Sequence, residues 1–502
     1  MASRTLIALF GFFLINSPYL SQAQESVPGE LIVTYKSSRV SSKTLAKTSL
    51  NHNLTLKNSW SGLKTYHFKV RSRGDEARRI EELKKDPNIL SVEPNYIVKA
   101  QSLFDMPSTS EEIYIDESWT SVSDSQESQN IRGGGSYRPI VAVIDSGLDT
   151  QHEVFRNSER LWTNEGEIEG NGIDDDGNGF IDDVHGWNFV NNSNNIFDDD
   201  NVGHGTHVAG IVSSSAGPLN ENQDVNLESL PPVRVMALKF LNGQGEGTTS
   251  DAISAIYYAI QNGAKVLNNS WGGPNYSTAL HQAVNYTYEN DAVFVAASGN
   301  NGIDTDAFPL YPASLDVPNV ISVGASQGGR RAYFSNYGVE TVHIFAPGVN
   351  IYSSWPLDEY GRLSGTSMSA PYVSALAALM SIEAPHFSGF QIRRDMMASG
   401  ESFEQLRNSS QSDKRIDFES AVLQTQSNAG EANFKPDYSP NFGSRGIAST
   451  DSLSSGGTGC GMVKRLSEEN KTQKNIPVVV FLIVLPLILS LFYRDRSSKF
   501  VD

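Results

Sequence analysis

A single cysteine, Cys460, in 502 residues excludes any disulfide within the chain. Stability must come from a packed core or from bound ions. Basic charge is scarce as well: 39 Lys and Arg against 57 Asp and Glu leave a net charge of −18. That balance argues against nucleic acid as a partner. Long uncharged apolar runs are rare, and the two that matter lie near the ends, Leu6 to Ile15 and Ile476 to Tyr493. The first, with Arg4 before it and Ser21-Gln22-Ala23 after it, has the layout of a secretory signal peptide over 1–23. The second is just long enough to cross a bilayer. Arg494, Arg496 and Lys499 follow it in a basic tail, 494–502, and predict a cytoplasmic C-terminus with the bulk of the chain outside.

What charge there is falls unevenly. Residues 27–100 carry 14 Lys and Arg against 7 Asp and Glu, while 101–423 carry 15 against 42. A small basic unit and a large acidic one attract each other, and 502 residues are too many for one core. In the small unit, Leu31 to Tyr35, Lys64 to Val70 and Val92 to Val98 read as strands, and Asp75 to Lys85 as a helix. From 106 to 423 strands alternate with helices, at 140–144, 233–240, 265–269, 292–297, 320–325 and 342–346. That alternation predicts an α/β fold with a parallel central sheet and helices on both faces. Ile253, Ile256, Tyr257 and Ile260 mark one helix, closed by Asn262-Gly263. Residues 424–475, rich in Ser, Gly, Asn and Gln, read as a flexible linker.

Three stretches carry chemistry. Gly365-Thr366-Ser367-Met368-Ser369-Ala370-Pro371 leads into an alanine-rich, uncharged helix. Pro371 is expected in that helix's first turn, which puts Ser367 at its mouth, where unpaired N–H groups favour negative charge. Val141 to Ile144 form an apolar strand ending in Asp145. His204-Gly205-Thr206-His207 opens a small-residue helix with an imidazole. A serine hydroxyl is a weak nucleophile until a base is in contact with it.

The order Asp145, His204, Ser367, on these motifs, resembles the subtilisin-like serine proteases (the subtilases) over roughly residues 27–423. The resemblance implies that Ser367 attacks a peptide carbonyl, His204 serves as base and acid, and Asp145 steadies the imidazole. His207, one turn further along, is the rival imidazole, with packing as its expected role. Ala296 to Gly302 resembles the segment that supplies the oxyanion amide, with Asn300 the match and the backbone N–H of Ser367 the second donor. Ser270-Trp271-Gly272, with Gly245 and Gly247 opposite, resembles the two edges that hold an extended peptide substrate. Leu310 would floor the primary pocket and make it shallow.

Residues 27–100 are similar to the inhibitory propeptides of the family, small α+β units of ferredoxin-like type. The implied bond for removal lies between about Val98 and Asp105. Between the Asp and His motifs, Asp174, Asp176, Asn178, the Phe180 carbonyl and Asp182 have the spacing of the first part of a calcium loop. The usual closing Glu is absent, and Asp183 or Glu169 would complete the shell around a Ca²⁺ ion. Asp198, Asp199 and Asp200, just before His204, read as solvated loop charges in preference to two other roles, raising the imidazole's proton affinity or binding a cation. Gly456 to Gly461, around Cys460 and ahead of the apolar span, resembles a C-terminal sorting tail. The expectation is therefore a membrane-tethered or surface-sorted endopeptidase with protein substrates and its own propeptide as inhibitor. The rival expectation is a catalytically silent homologue that binds peptides or acts as a calcium-dependent surface protein.

Overall fold

A computed structural model describes residues 25–37, 40–72, 74–101, 137–156, 159–214 and 233–442. The signal-peptide, Cys460 and membrane-span expectations fall outside the described residues, as does most of the linker. Among the described residues no helix is long and apolar enough to cross a membrane.

The N-terminal unit runs β1 (Ser26–Tyr35), α1 (Ser42–Asn51), β2 (Leu54–Trp60), β3 (Thr65–Val70), α2 (Glu76–Leu83) and β4 (Ile89–Ala100). Its strands pair antiparallel in the order β4-β1-β3-β2, a ferredoxin-like arrangement. Alternate residues Tyr66, Phe68 and Val70 of β3 pack with Leu31, Val33, Leu54 and Leu83, as a strand's period of two requires. Neither α1 nor β2 announces itself in the sequence. Only Thr48 of α1 is buried, and the five inner residues of β2 are exposed, so neither shows an apolar stripe.

The larger unit continues with β5 (Ile140–Asp145), β6 (Gly186–Asn188), α3 (His204–Ser214), β7 (Arg234–Lys239), β8 (Glu246–Thr248), α4 (Thr249–Gln261), β9 (Val266–Asn269), β10 (Trp271–Gly272) and α5 (Thr278–Glu289). Then come β11 (Val293–Ala297), β12 (Val320–Gln327), β13 (Arg330–Arg331), β14 (Ile344–Pro347), β15 (Ile351–Trp355) and β16 (Glu359–Leu363). The last elements are α6 (Thr366–Glu383), α7 (Gly389–Ser399), β17 (Glu401–Ser402), β18 (Lys414–Arg415) and α8 (Phe418–Asn428). The main sheet has the order β17-β18-β14-β12-β11-β9-β5-β7-β6, parallel from β14 to β6. Both of its faces are covered. Val141 and Val143 of β5 join α3 and α6 in one apolar layer, while Ile140, Ala142 and Ile144 join α4 and α5 in the other.

Two features differ from expectation. Pro371 sits beyond the first turn of α6. Proline there leaves the carbonyl four residues back without its helix donor, and that carbonyl, on Ser367, accepts instead from the Ser270 hydroxyl at 2.9 Å. The chain beyond 423 is also less free than a linker. Helix α8 runs to Asn428, and residues 429–442 form a strap held along α7 and α5. Gln391 accepts from Phe434 N at 2.9 Å and donates to the Ala432 carbonyl at 3.0 Å. Lys435 pairs with Asp291 at 3.1 Å, and the Tyr438 hydroxyl donates to the Asp316 carbonyl at 2.6 Å.

Candidate active site

In an open parallel sheet, reactive groups collect at the carboxyl ends of strands, and Asp145 is the last residue of β5. It is fully buried. Its Oδ1 accepts from Ser146 N at 2.7 Å and pairs with His204 Nδ1 at 2.7 Å. His204 is the first residue of α3, also fully buried, and its Nε2 has no hydrogen-bond partner. Burial lowers this imidazole's proton affinity. The charge and hydrogen bond of Asp145 outweigh that, with Asp200 and Asp198 adding, and hold its pKa above the ordinary value. His207 is a different case: burial and the neighbouring His204 push it down to about 3. Its Nε2 lies 3.0 Å from the Ile351 carbonyl, the packing role expected of it.

Ser367 lies at the second position of α6, and α6 packs directly on α3. Its Oγ lies 3.0 Å from the Ser270 carbonyl and meets the carbonyl oxygen of Gln101. A hydrogen bond from Ser367 to His204 is not made here. The Gln101 oxygen is held by two donors besides, Asn300 Nδ2 at 2.6 Å and the backbone N–H of Ser367 at 3.2 Å. Asn300 is oriented from behind, since its Oδ1 accepts from the N–H and hydroxyl of Thr366 at 2.9 and 3.0 Å. The amide therefore points its donor end at the Gln101 carbonyl.

That carbonyl belongs to the residue just after a strand. β4 leaves the N-terminal unit and runs between β8 and β10, antiparallel to both. Trp271 faces Ala100 and Gly272 faces Lys99 on one side, while Glu246 faces Lys99 and Gly247 faces Val98 on the other. Ala100 N donates to the Gly245 carbonyl at 2.9 Å and Gln101 N to the Ser270 carbonyl at 3.0 Å. Ser270, Trp271, Gly272, Gly245 and Gly247 thus lie along the two edges that flank this strand and Gln101. Glycine at 247 has a steric reason, because a Cβ there would lie 2.7 Å from the Phe240 ring. The Leu310 side chain lies against both Gly272 and Gly299. A Cβ on Gly272 would meet its Cδ2 at 2.9 Å, and one on Gly299 at 2.8 Å.

Sequence reasoning misjudged the exposure of Asp198 and passed over Lys239, Glu93 and Asn95, all four of them buried. Asp198 is not solvated but 2 % exposed. It accepts from the Ser146 hydroxyl at 2.9 Å and from the N–H and hydroxyl of Thr206 at 2.8 Å each, tying the end of β5 to the start of α3. Lys239, buried at the end of β7, holds the Ser146 carbonyl and pairs with Asp199 at 2.7 Å. Glu93 on β4 caps α5: its carboxylate accepts from Thr278 N at 2.9 Å, Ala279 N at 3.2 Å and the Ser277 hydroxyl. Burial, against those donors, pushes Glu93 up to about 7. Asn95 does the same for α4, accepting from Ser250 N at 2.9 Å. The signal for both was the run Glu93-Pro94-Asn95, whose partners lie too far along the chain to be seen.

The acidic loop is rearranged relative to expectation. Carboxylates of Glu167, Asp176 and Asp183 converge, with oxygens within 4.8 Å of one another. Of the five expected ligands Asp176 belongs to this group, and so does Asp183, one of the two residues expected to complete the shell. Asn178 sits beside it, its Nδ2 donating to Asp176 and Asp183 at 3.0 and 2.9 Å. Asp174 is used by the loop itself, accepting from Asn178 N and Gly179 N at 3.0 and 2.9 Å. Asp182 likewise accepts from Asn171 N and Gly172 N at 3.1 and 3.0 Å. Phe180 turns its ring onto Tyr258, centroids 5.0 Å apart. Three converging carboxylates repel one another unless a cation or protons intervene, and an all-oxygen set suits a hard cation.

Comparison with known proteins follows the same division of the chain. Residues 137–425 match the model of the subtilase family, and residues 20–95 match the fervidolysin N-terminal prodomain. Subtilisin DY from Bacillus licheniformis is 42 % identical over 226 residues, 44 % of this chain and 79 % of that protein. A thermophilic serine proteinase from Bacillus sp. strain AK1 is 34 % identical over 365 residues, 70 % of this chain and 78 % of the relative. Thermitase from Thermoactinomyces vulgaris is 38 % identical over 241 residues, covering 48 % and 74 % respectively.

Proposed function

Since the chain belongs to the subtilase family, with a prodomain ahead of the catalytic part, we propose that it is a secreted, membrane-tethered serine endopeptidase that cuts itself free of that prodomain after Gln101. One observation carries this reading: the Gln101 carbonyl oxygen lies between Asn300 Nδ2 and the Ser367 N–H, with the Ser367 hydroxyl against it. The tail of β4 occupies the cleft as a substrate would, by main-chain pairing on both edges.

Ser367 Oγ attacks the Gln101 carbonyl carbon and gives its proton to His204 Nε2, which is free to take it. The oxygen becomes an oxyanion where two donors already stand, so no reorganisation accompanies the charge. His204 passes the proton to the departing amine of residue 102, leaving an acyl-enzyme on Ser367 that water then hydrolyses. Asp145 fixes the imidazole with its proton on Nδ1 and stabilises the imidazolium. Trp271 and the glycines at 245, 247 and 272 present the substrate edges. Protein and peptide substrates follow from the same pairing once the prodomain leaves.

The leader at 1–23 supports export, and the span at 476–493 with its basic tail supports a tether. Glu167, Asp176 and Asp183 suit a structural Ca²⁺, with Asn178 beside them. When bound, the ion would neutralise this cluster and brace the loop.

The test is a serine-directed fluorophosphonate probe with N-terminal sequencing. The mature protein should label at Ser367 and begin at Ser102, and Ser367→Ala should stay full length. A wild-type protein that matures but takes no label would overturn the enzyme reading. Maturation of Ser367→Ala by itself would overturn self-cleavage.

A further inference from the structure

We propose that Glu246 makes this protease select a cationic residue at the third position before the cleaved bond. The inference rests on the peptidase reading and deepens it. With Gln101 as the residue whose carbonyl is attacked, the third residue back is Lys99. In the larger unit it faces Gly272, which has no side chain, on one edge and Glu246 on the other, and Lys99 Nζ lies 3.0 Å from Glu246 Oε1. Directly opposed residues of an antiparallel pair hold their Cβ atoms about 4.5–5.5 Å apart, close enough for side chains to meet whatever the sequence of the strand.

The edge leaves no rival for that contact. Gly245-Glu246-Gly247 offers one side chain between two glycines, and the second carboxylate on Lys99, Glu25 at 3.1 Å, belongs to the prodomain and departs with it. Glu246 stays behind on the rim. The neighbouring positions are read by other means: Val98 is buried in the apolar cluster that contains Phe240, Leu241 and Trp271. Charge on the strand is thus presented to Glu246 alone among these contacts. The strongly acidic larger unit, 42 acidic against 15 basic residues over 101–423, favours a cation at that rim as well.

The side chains are 50 % and 40 % exposed, so the pair works in a high dielectric and its effect is modest. Exposed ion pairs contribute about 0.2–1 kcal/mol, which converts to at most roughly 5-fold in rate. Mature enzyme would be assayed on peptides containing Val-X-Ala-Gln, with X as Lys, Ala or Glu, at low and high salt. Expected for wild type is kcat/KM in the order Lys, Ala, Glu, each step about 2- to 5-fold, narrowing at high salt because salt screens exposed charges. Glu246→Gln should flatten the series, and Glu246→Arg should invert it. A flat wild-type series, or an order unchanged in Glu246→Arg, would overturn the role of Glu246 while leaving the peptidase intact. Failure to cut any of the peptides, with no fluorophosphonate labelling, would overturn the peptidase reading and this inference with it.

Discussion

His204 shows how one residue's surroundings set the working pH. A general base must be neutral, so activity falls as pH drops through its pKa, which Asp145, Asp200 and Asp198 together hold above the ordinary imidazole value. Asp200→Asn removes one of those charges without touching Asp145. The acid limb of the kcat/KM profile should move to lower pH, and an unmoved limb would exclude Asp200 from this role. Glu93 titrates in the opposite sense. Its pKa in the assembled zymogen is about 7 against an ordinary 4.5, so the folded form binds the proton more tightly. Its contribution to stability is complete below pH 4.5 and is lost as pH rises through about 7. Melting temperatures of the Ser367→Ala zymogen should therefore fall across that window relative to Glu93→Gln. Asp145, His204, Asn300 and Ser367 were legible because each sits in a short motif at the end of a strand or helix. Asp198 and Glu93 were not, because an isolated carboxylate in a sequence gives no sign of whether distant N–H groups will surround it.

At the scale of elements, burial decided what could be read. β5, up to its terminal Asp145, and β11 are apolar on both faces and stand out as short unbroken runs. In α4, Ile253 and Ile256 are buried as their spacing predicts, but Tyr258 is more deeply buried than Tyr257 or Ile260. Its hydroxyl donates to Asp183, an acceptor the helical period does not reveal. Short β6 was invisible, since three residues have no period, and its pairing depends on a bare backbone. Gly186 has φ +130°, and a Cβ there would lie 1.8 Å from the Ala237 carbonyl oxygen. Gly186→Ala should prise β6 from β7 and destabilise by more than about 2 kcal/mol. Thermal unfolding would register that as a melting temperature lower by several degrees.

The whole molecule departs furthest from a reading by segments. The strap at 429–442 looked like linker because its composition is polar, yet it is fixed through its backbone and a few aromatic side chains, Tyr438 against Tyr288 among them with centroids 5.6 Å apart. Ending the chain after Ala429 should lower the melting temperature by a few degrees, and an unchanged melt would show that the strap adds nothing to stability. The acidic loop gives a second test at this scale. A calcium chelator should lower the wild-type melting temperature, and Asp183→Asn should abolish most of that response. If the chelator has no effect on wild type, the converging carboxylates hold no stabilising ion.

β4 is shared property, one strand hydrogen-bonded both to the prodomain sheet and to the cleft edges. A newly severed molecule would accordingly begin as its own stoichiometric antagonist, its blocker still docked. Early escapees would digest the blockers of their neighbours. Activity in a fresh preparation should rise after a lag, and the lag should shorten as the total concentration increases.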